Sequence, residues 1–329
     1  MSFALPAGVA RWLQAGGFTP DAGATLGIAS SRNLTLVARR RRARALVKVA
    51  ATPDDPWSAR EAALLSALGG GGPGFVTPTV LVRAPGRLVV SWLAGETTYV
   101  RRRRRRSLGA ADDALVGRAL AHLHARGAVT TTAATGELIE RLLWTTPADY
   151  AAMSPATLAL WSLVQHRRTA ERTLSRLLAV ERRSPAVLCH GDLRQANVFV
   201  ARGRVGFVDL ELSGLGDPAR DLGMWIAEDL GGYLVPRDRA EILTLGELRR
   251  RLRAFVGAWE RQAQVLGLPG VPAIRRRATA WAGEALLRRA YTVTVHEGVF
   301  GVREAHVARS ALGLLTEPGR WARHFLGAA

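Results

Sequence analysis

The segment from His190 to Leu222 constrains this chain more than any other. It reads His190-Gly191-Asp192-Leu193-Arg194-Gln195-Ala196-Asn197-Val198-Phe199-Val200, then Gly206-Phe207-Val208-Asp209-Leu210-Glu211, then Gly216-Asp217-Pro218-Ala219-Arg220-Asp221-Leu222. An Asp and an Asn five residues apart fall on a loop that runs into an apolar strand. A hairpin then returns a second Asp at the end of another apolar strand. Two oxygen ligands brought from separate strands to one cleft suit Mg²⁺, which prefers carboxylate, amide oxygen and phosphate to nitrogen or sulfur. Asp192 is then left to accept a hydrogen bond from an attacking hydroxyl.

The rest of the chain divides around this segment. Val9–Gln14 reads as a short helix, and residues 24–30, 33–38 and 45–50 read as strands, with Arg39–Arg44 at a hairpin tip. Pro56 opens a helix that ends at Gly69. Strands at 76–82 and 87–93 follow, turning at Pro85-Gly86. From Ser107, an N-cap candidate, the pattern is helical to Gly127 and again over 137–183. Short strands return at 186–189, 198–200 and 205–209. The remainder reads as helices at 219–230, 238–266, 273–296 and 302–325. This order predicts a small β-rich lobe over residues 1–92 and a larger helical lobe over 93–329, a reasonable division for 329 residues.

Composition narrows the classes. The chain is 48% hydrophobic and 22% charged, enough to bury a core. No apolar run reaches the roughly 20 residues of a membrane helix, and the first residues carry no secretory pattern, so a cytoplasmic protein is expected. Cys189 is the only cysteine, which excludes a disulfide framework and a Cys-rich zinc site. Lys and Arg total 46 against 27 acids, yet Lys48 is the only Lys, and Asn33 and Asn197 are the only Asn residues. Such an Arg excess reads as the imprint of a GC-rich genome, under which a surviving Lys or Asn marks a place where the swap fails. Lys48 sits in an apolar strand, Leu46-Val47-Lys48-Val49. A compact ammonium can serve a carboxylate and phosphate oxygens where a guanidinium fork is too large.

The motifs H-G-D-x-x-x-x-N, D-x-E and G-D-P-x-x-D-L, in this order, resemble the aminoglycoside phosphotransferase and choline kinase-like family of small-molecule kinases. They also resemble the catalytic loop and metal-binding Asp of protein kinases. The resemblance covers most of the chain and implies a two-lobed α+β protein-kinase-like fold. It implies transfer of a phosphoryl group from ATP, or GTP, to a hydroxyl of a sugar, metabolite or antibiotic-like alcohol, with Mg²⁺. Asp192 would be the catalytic base or hydroxyl-orienting residue, and Asn197 and Asp209 the metal ligands. Lys48 would contact phosphates and pair with Glu61. The loop containing Ser30, Ser31 and Asn33 would cover the nucleotide, and Val89–Trp92, with Val90 and Trp92, would meet its purine. His190 and Asp217 would orient the catalytic loop. Two departures stand out. The chain has Arg194-Gln195-Ala196 where relatives often carry His-Pro-Gly, which places Arg194 against the transferring phosphate, and the nucleotide loop lacks G-x-G-x-x-G.

Other features read more plainly. His122 and His124 form H-x-H, but i and i+2 point to different helix faces, so packing is expected rather than metal binding. Cys189 reads as a buried structural thiol, and Glu211 as an outer metal-site carboxylate or an ordinary surface one. Arg101–Arg106 reads as a solvated segment, with an acidic substrate group as the alternative. Without an aromatic-interleaved basic motif or zinc-finger pattern, the net charge of +19 does not argue for nucleic acid. After Leu222 there are 16 Arg against 10 acids, which favours a neutral or anionic alcohol over an aminoglycoside. The rival classes are a non-catalytic nucleotide-sensing module of the same fold and a basic nucleic-acid-binding protein.

Overall fold

The structure is a computed structural model, and it describes residues 7–25, 33–93, 96–98, 109–127, 137–183, 187–201, 203–236 and 242–327. The chain opens with helix α1 (Ala7–Ala15), then strands β1 (Thr19–Thr25), β2 (Asn33–Arg40) and β3 (Ala43–Ala50). Helix α2 (Pro56–Leu68) follows, then β4 (Gly71–Gly72), β5 (Phe75–Val76), β6 (Val80–Ala84), β7 (Arg87–Ser91) and β8 (Glu96–Thr97). Strands β1, β2, β3, β7 and β6 form, in that order, an antiparallel sheet.

Alternation along β3 sets the lobe's two faces. Ala45, Val47 and Val49 pack with Val9, Leu13 and Phe18 around α1. Leu46 packs into the other core cluster, with α2, and Lys48 on that side bonds to α2. Helix α2 is sharply bounded: Asp55 accepts from Trp57 N, Pro56 stands at the first position, and Gly69 ends it at φ 59°.

The remainder is mostly helical. Helices α3 (Ala110–His124), α4 (Glu137–Leu143), α5 (Pro147–Ala152), α6 (Pro155–Gln165) and α7 (Arg168–Arg183) precede β9 (Val187–Cys189). The hairpin β10 (Val198–Ala201) and β11 (Arg204–Phe207) follows, then β12 (Gly214–Gly216). Helices α8 (Pro218–Leu234), α9 (Leu245–Val265), α10 (Ile274–Glu297), α11 (Val302–Thr316) and α12 (Pro318–Leu326) complete the lobe. Trp161, Trp225, Trp259 and Phe255 fill its core. A second sheet, β4-β5-β11-β10-β8, joins strands from both parts of the chain and carries the hairpin that leads into Asp209. The two-lobed kinase-like architecture expected from the sequence is therefore present.

Several local expectations change. Extended chain begins at Thr19, ahead of the expected 24–30 strand, of which 26–30 lie outside the described residues. The 76–82 strand is broken into β5 and β6 around Pro78, which cannot donate to a ladder. Helix α3 starts at Ala110 with Gly109 as its N-cap, and Ser107 lies outside the described residues. The last expected helix is two, because Pro318 opens a new one. Ser30, Ser31 and Arg101–Arg106 also lie outside the described residues.

Candidate active site

Lys48 is where the two lobes meet chemically. Its Nζ donates to Glu61 Oε1 at 2.9 Å, to Glu61 Oε2 at 2.7 Å and to Asp209 Oδ1 at 2.5 Å. An ammonium has three donors, and all three are used. Lys48 is 7% exposed and Glu61 3%. Burial alone would lower the Lys48 pKa, but the two carboxylates outweigh it and hold the group above the ordinary lysine value. Glu61 Oε1 also accepts from Leu210 N at 3.2 Å, which ties α2 to the chain just beyond Asp209.

Asp209 follows β11 with φ 62° and ψ 56°, a left-handed conformation that Asp adopts more readily than most residues. Burial pushes its pKa up, but Lys48, His190 and Arg194 pull it lower than the usual carboxylate value. Oxygen atoms of Glu61, Asp209 and Glu211 lie within 4.8 Å of one another.

On the preceding loop, Asn197 Nδ2 donates to both the backbone O and Oδ2 of Asp192, each at 3.0 Å. With its nitrogen engaged, the side-chain oxygen is the atom Asn197 has to offer a cation. Asn197 O accepts from Val208 N at 3.0 Å, so this loop and the approach to Asp209 are stitched together. Asp192 Oδ2 also receives Arg194, Nε at 2.8 Å and Nη2 at 2.6 Å. Arg194 is thus turned back onto Asp192, with half its side chain exposed.

The loop backbone is held from behind by a residue the sequence reading passed over. Asp221 accepts from His190 N at 2.6 Å, from Gly191 N at 3.0 Å and lies 3.1 Å from His124 Nε2. Trp259 Nε1, which can only donate, bonds His124 Nδ1 at 3.0 Å. That fixes the imidazole tautomer: Nδ1 accepts, and Nε2 carries the proton toward Asp221. Burial raises the Asp221 pKa, but these donors overcome it and leave the carboxyl below its ordinary value. Gly191 has φ 81°, and a Cβ there would lie 2.0 Å from Leu212 O, so no other residue fits this turn.

Asp217, expected to orient the loop, does something else. It caps α8 through Ala219 N at 3.1 Å and binds Arg277 and Trp281 Nε1. The expected orienting role falls to Asp221, one turn further into α8. His190 does reach the loop: its Nδ1 accepts from Asp192 N at 3.3 Å.

A second tether runs through Gln195. Its Nε2 donates to Asp229 at 2.6 Å, Asp229 binds Arg251 at 3.0 Å, and Arg251 Nε binds Asp113 at 2.9 Å. All four are buried. His124, Cys189 and Asp221 also lie close enough together to hold a metal. The His124 proton toward Asp221 and a thiol pushed well up by burial make this a packed hydrogen-bonded corner instead.

The remaining expected contacts are more scattered. Asn33 opens β2, its backbone opposite Ala50. Val90 is buried within β7, an inner strand paired on both edges, and packs with Leu88 into the α2-side core. Of the expected connection, only Trp92 lies beyond the strand, half-buried with Arg44 5.9 Å from its ring centroid.

A family model described as the phosphotransferase enzyme family matches residues 26–255, more than half of the chain and the whole span from Lys48 to Arg251. The chain belongs to the phosphotransferase enzyme family. No curated protein matches it in sequence. Among solved structures it is similar to a choline kinase from Cryptosporidium parvum Iowa II, at TM-score 0.58 and 13% identity over 95% of this chain and 94% of that one. It is also similar to a macrolide 2′-phosphotransferase from Brachybacterium faecium, at TM-score 0.51 and 17% identity over 94% and 97%. A choline/ethanolamine kinase family protein from Mesorhizobium loti matches at TM-score 0.53 and 20% identity over 92% and 93%. At these identities the structural likeness carries the fold of the phosphotransferase.

Proposed function

We propose that this phosphotransferase moves the γ-phosphoryl group of ATP, or GTP, to a hydroxyl of a small molecule in a Mg²⁺-dependent reaction. The observation that carries the reading is a pair of constellations tied together by the backbone bond from Val208 N to Asn197 O: Lys48 with Glu61 and Asp209, and Asp192 with Asn197. Phosphoryl transfer asks a protein mainly for positioning and charge neutralisation, and these residues supply both.

Asp192 accepts the hydrogen bond of the acceptor hydroxyl and takes its proton as the new O–P bond forms and the bond from the γ-phosphorus to the bridging oxygen breaks, releasing ADP or GDP. Lys48 exchanges a carboxylate oxygen for phosphate oxygens and neutralises them, with Glu61 holding the ammonium in place. Asn197 and Asp209 fit Mg²⁺ by donor chemistry, one amide oxygen and one carboxylate. A Mg²⁺ held by Asn197 and Asp209 would supply positive charge against the phosphates. Arg194, already beside Asp192, is placed to reach the transferring phosphate. We place the lobe boundary between Trp92 and Leu93, just past the end of β7, and the protein in the cytoplasm, where ATP and Mg²⁺ are supplied.

The test is a library of small hydroxyl compounds screened for ATP consumption and phosphorylated product. Asp192→Asn serves as the blank and is expected to lose about 10²–10⁴-fold in kcat. Wild-type rates in that variant, with product still formed, would overturn the assignment of Asp192.

A further inference from the structure

Beside Asp192 a cavity of about 350 Å³ opens between α8 and α10. That volume is near the low end for ligand sites and suits a small metabolite. Its ionisable lining is Asp192, Arg194, Glu228, Arg288 and Arg289, three cations against two acids.

Both acids face arginines. Asp192 already carries Arg194. Burial raises the Glu228 pKa, opposed by Arg289 and Arg194. The cations are placed differently. Arg288 uses Nη2 on Glu284 Oε2 at 3.2 Å, with its own side chain 32% exposed and that of Glu284 only 6%. The balancing carboxylate is therefore withdrawn below, while the rest of a five-donor planar fork stands at the cavity wall. Arg289 lies against Gly231 of α8, where a Cβ would come within 2.4 Å of its Nη1, so glycine makes its place. An ammonium-bearing acceptor would meet three guanidinium groups against two carboxylates here.

We propose that the acceptor is a small alcohol carrying an oxyanion, its hydroxyl at Asp192 and its carboxylate or phosphate on Arg288. The proposal rests on the reading of Asp192 as the acceptor-orienting group and adds the substrate class. A guanidinium fork matches either oxyanion through paired N–H donors.

Matched acceptors test it. Glycerate and gluconate supply the carboxylate arm, glycerol 3-phosphate and glucose 6-phosphate the phosphate arm. Glycerol, glucose and ethanolamine are the neutral and cationic comparators. Each is assayed for saturable binding by thermal shift and for phosphorylation from Mg–ATP. At least one arm is expected to exceed its neutral partner in kcat/KM by about tenfold or more. Arg288→Gln should collapse that ratio by raising KM for the anionic member, whereas Arg303→Gln, an exposed site on α11, should leave the ratio unchanged. Equal kcat/KM, a preference for glucose or ethanolamine, or no saturable binding of any oxyanion overturns the proposal. Those outcomes leave the phosphoryl-transfer reading standing. That reading fails separately, if wild type neither binds Mg–ATP nor forms a phosphorylated product from any hydroxyl compound of the library.

Discussion

At Lys48 one ammonium serves three carboxylate oxygens from two elements far apart in sequence. The geometry has room for a point charge and none for a fork. Lys48→Arg keeps the charge but is expected to lower kcat/KM by about 10²–10³-fold, the loss typical of removing one preorganised electrostatic contact. Steady-state kinetics with a saturating acceptor checks this; retention of most activity would show that charge alone suffices. The residues of this cluster were legible because their chemistry fixes residue type: a lone Lys on an apolar strand, an acid on the next helix, an Asp after the hairpin. Asp221 was not legible in the same way. It and Asp217 lie four apart in one motif, and only the observed helix start makes the first a cap and the second a loop anchor. Val90 lies within β7 rather than beyond it, since sequence spacing does not reveal where the strand stops and the connection begins.

Helices rather than strands fix the loop that carries Asp192 and Asn197. Helix α9 supplies both Trp259, which orients His124 on α3, and Arg251, which orients Asp229 on α8. The α3 and α9 helices can support this because they touch backbone to backbone. A Cβ at Gly117 would fall 2.2 Å from Phe255 O. Trp259→Phe keeps the ring volume approximately but leaves His124 Nδ1 a buried acceptor with no donor. The expected cost is about 1–3 kcal/mol, measured by urea unfolding. A shift within error would show that Trp259 contributes packing only. Hydrophobic periodicity revealed most of these helices, and Gly and Pro punctuation revealed many ends. It could not reveal which face of α9 meets which partner, because the tethers join residues up to 138 positions apart.

For the whole molecule, the +19 charge is concentrated at the surface, because among the described residues burial takes in seven acids against the cations Lys48, Arg220 and Arg251. Arg220 and Arg251 are buried, and Arg275 and Arg277 are paired to Glu260 and Asp217. Buried carboxylates such as Asp221 then govern acid stability. Its folded pKa lies below the ordinary value, so it stabilises the protein fully above the unfolded carboxylate pKa of about 3.9. That contribution is lost as pH falls through the folded value. The stability gap between wild type and Asp221→Asn should therefore be constant near neutrality and shrink below about pH 4. Denaturant midpoints across pH measure it, and a gap independent of pH would refute the charged state of Asp221. The single lysine also has a practical consequence. Since the chain offers no other side-chain amine, an acylating reagent has one internal target, shielded by two carboxylates inside the cleft. The extent of labelling at Lys48, read on the peptide that carries it so that the α-amino terminus is counted apart, becomes a gauge of how often the two carboxylates release this amine.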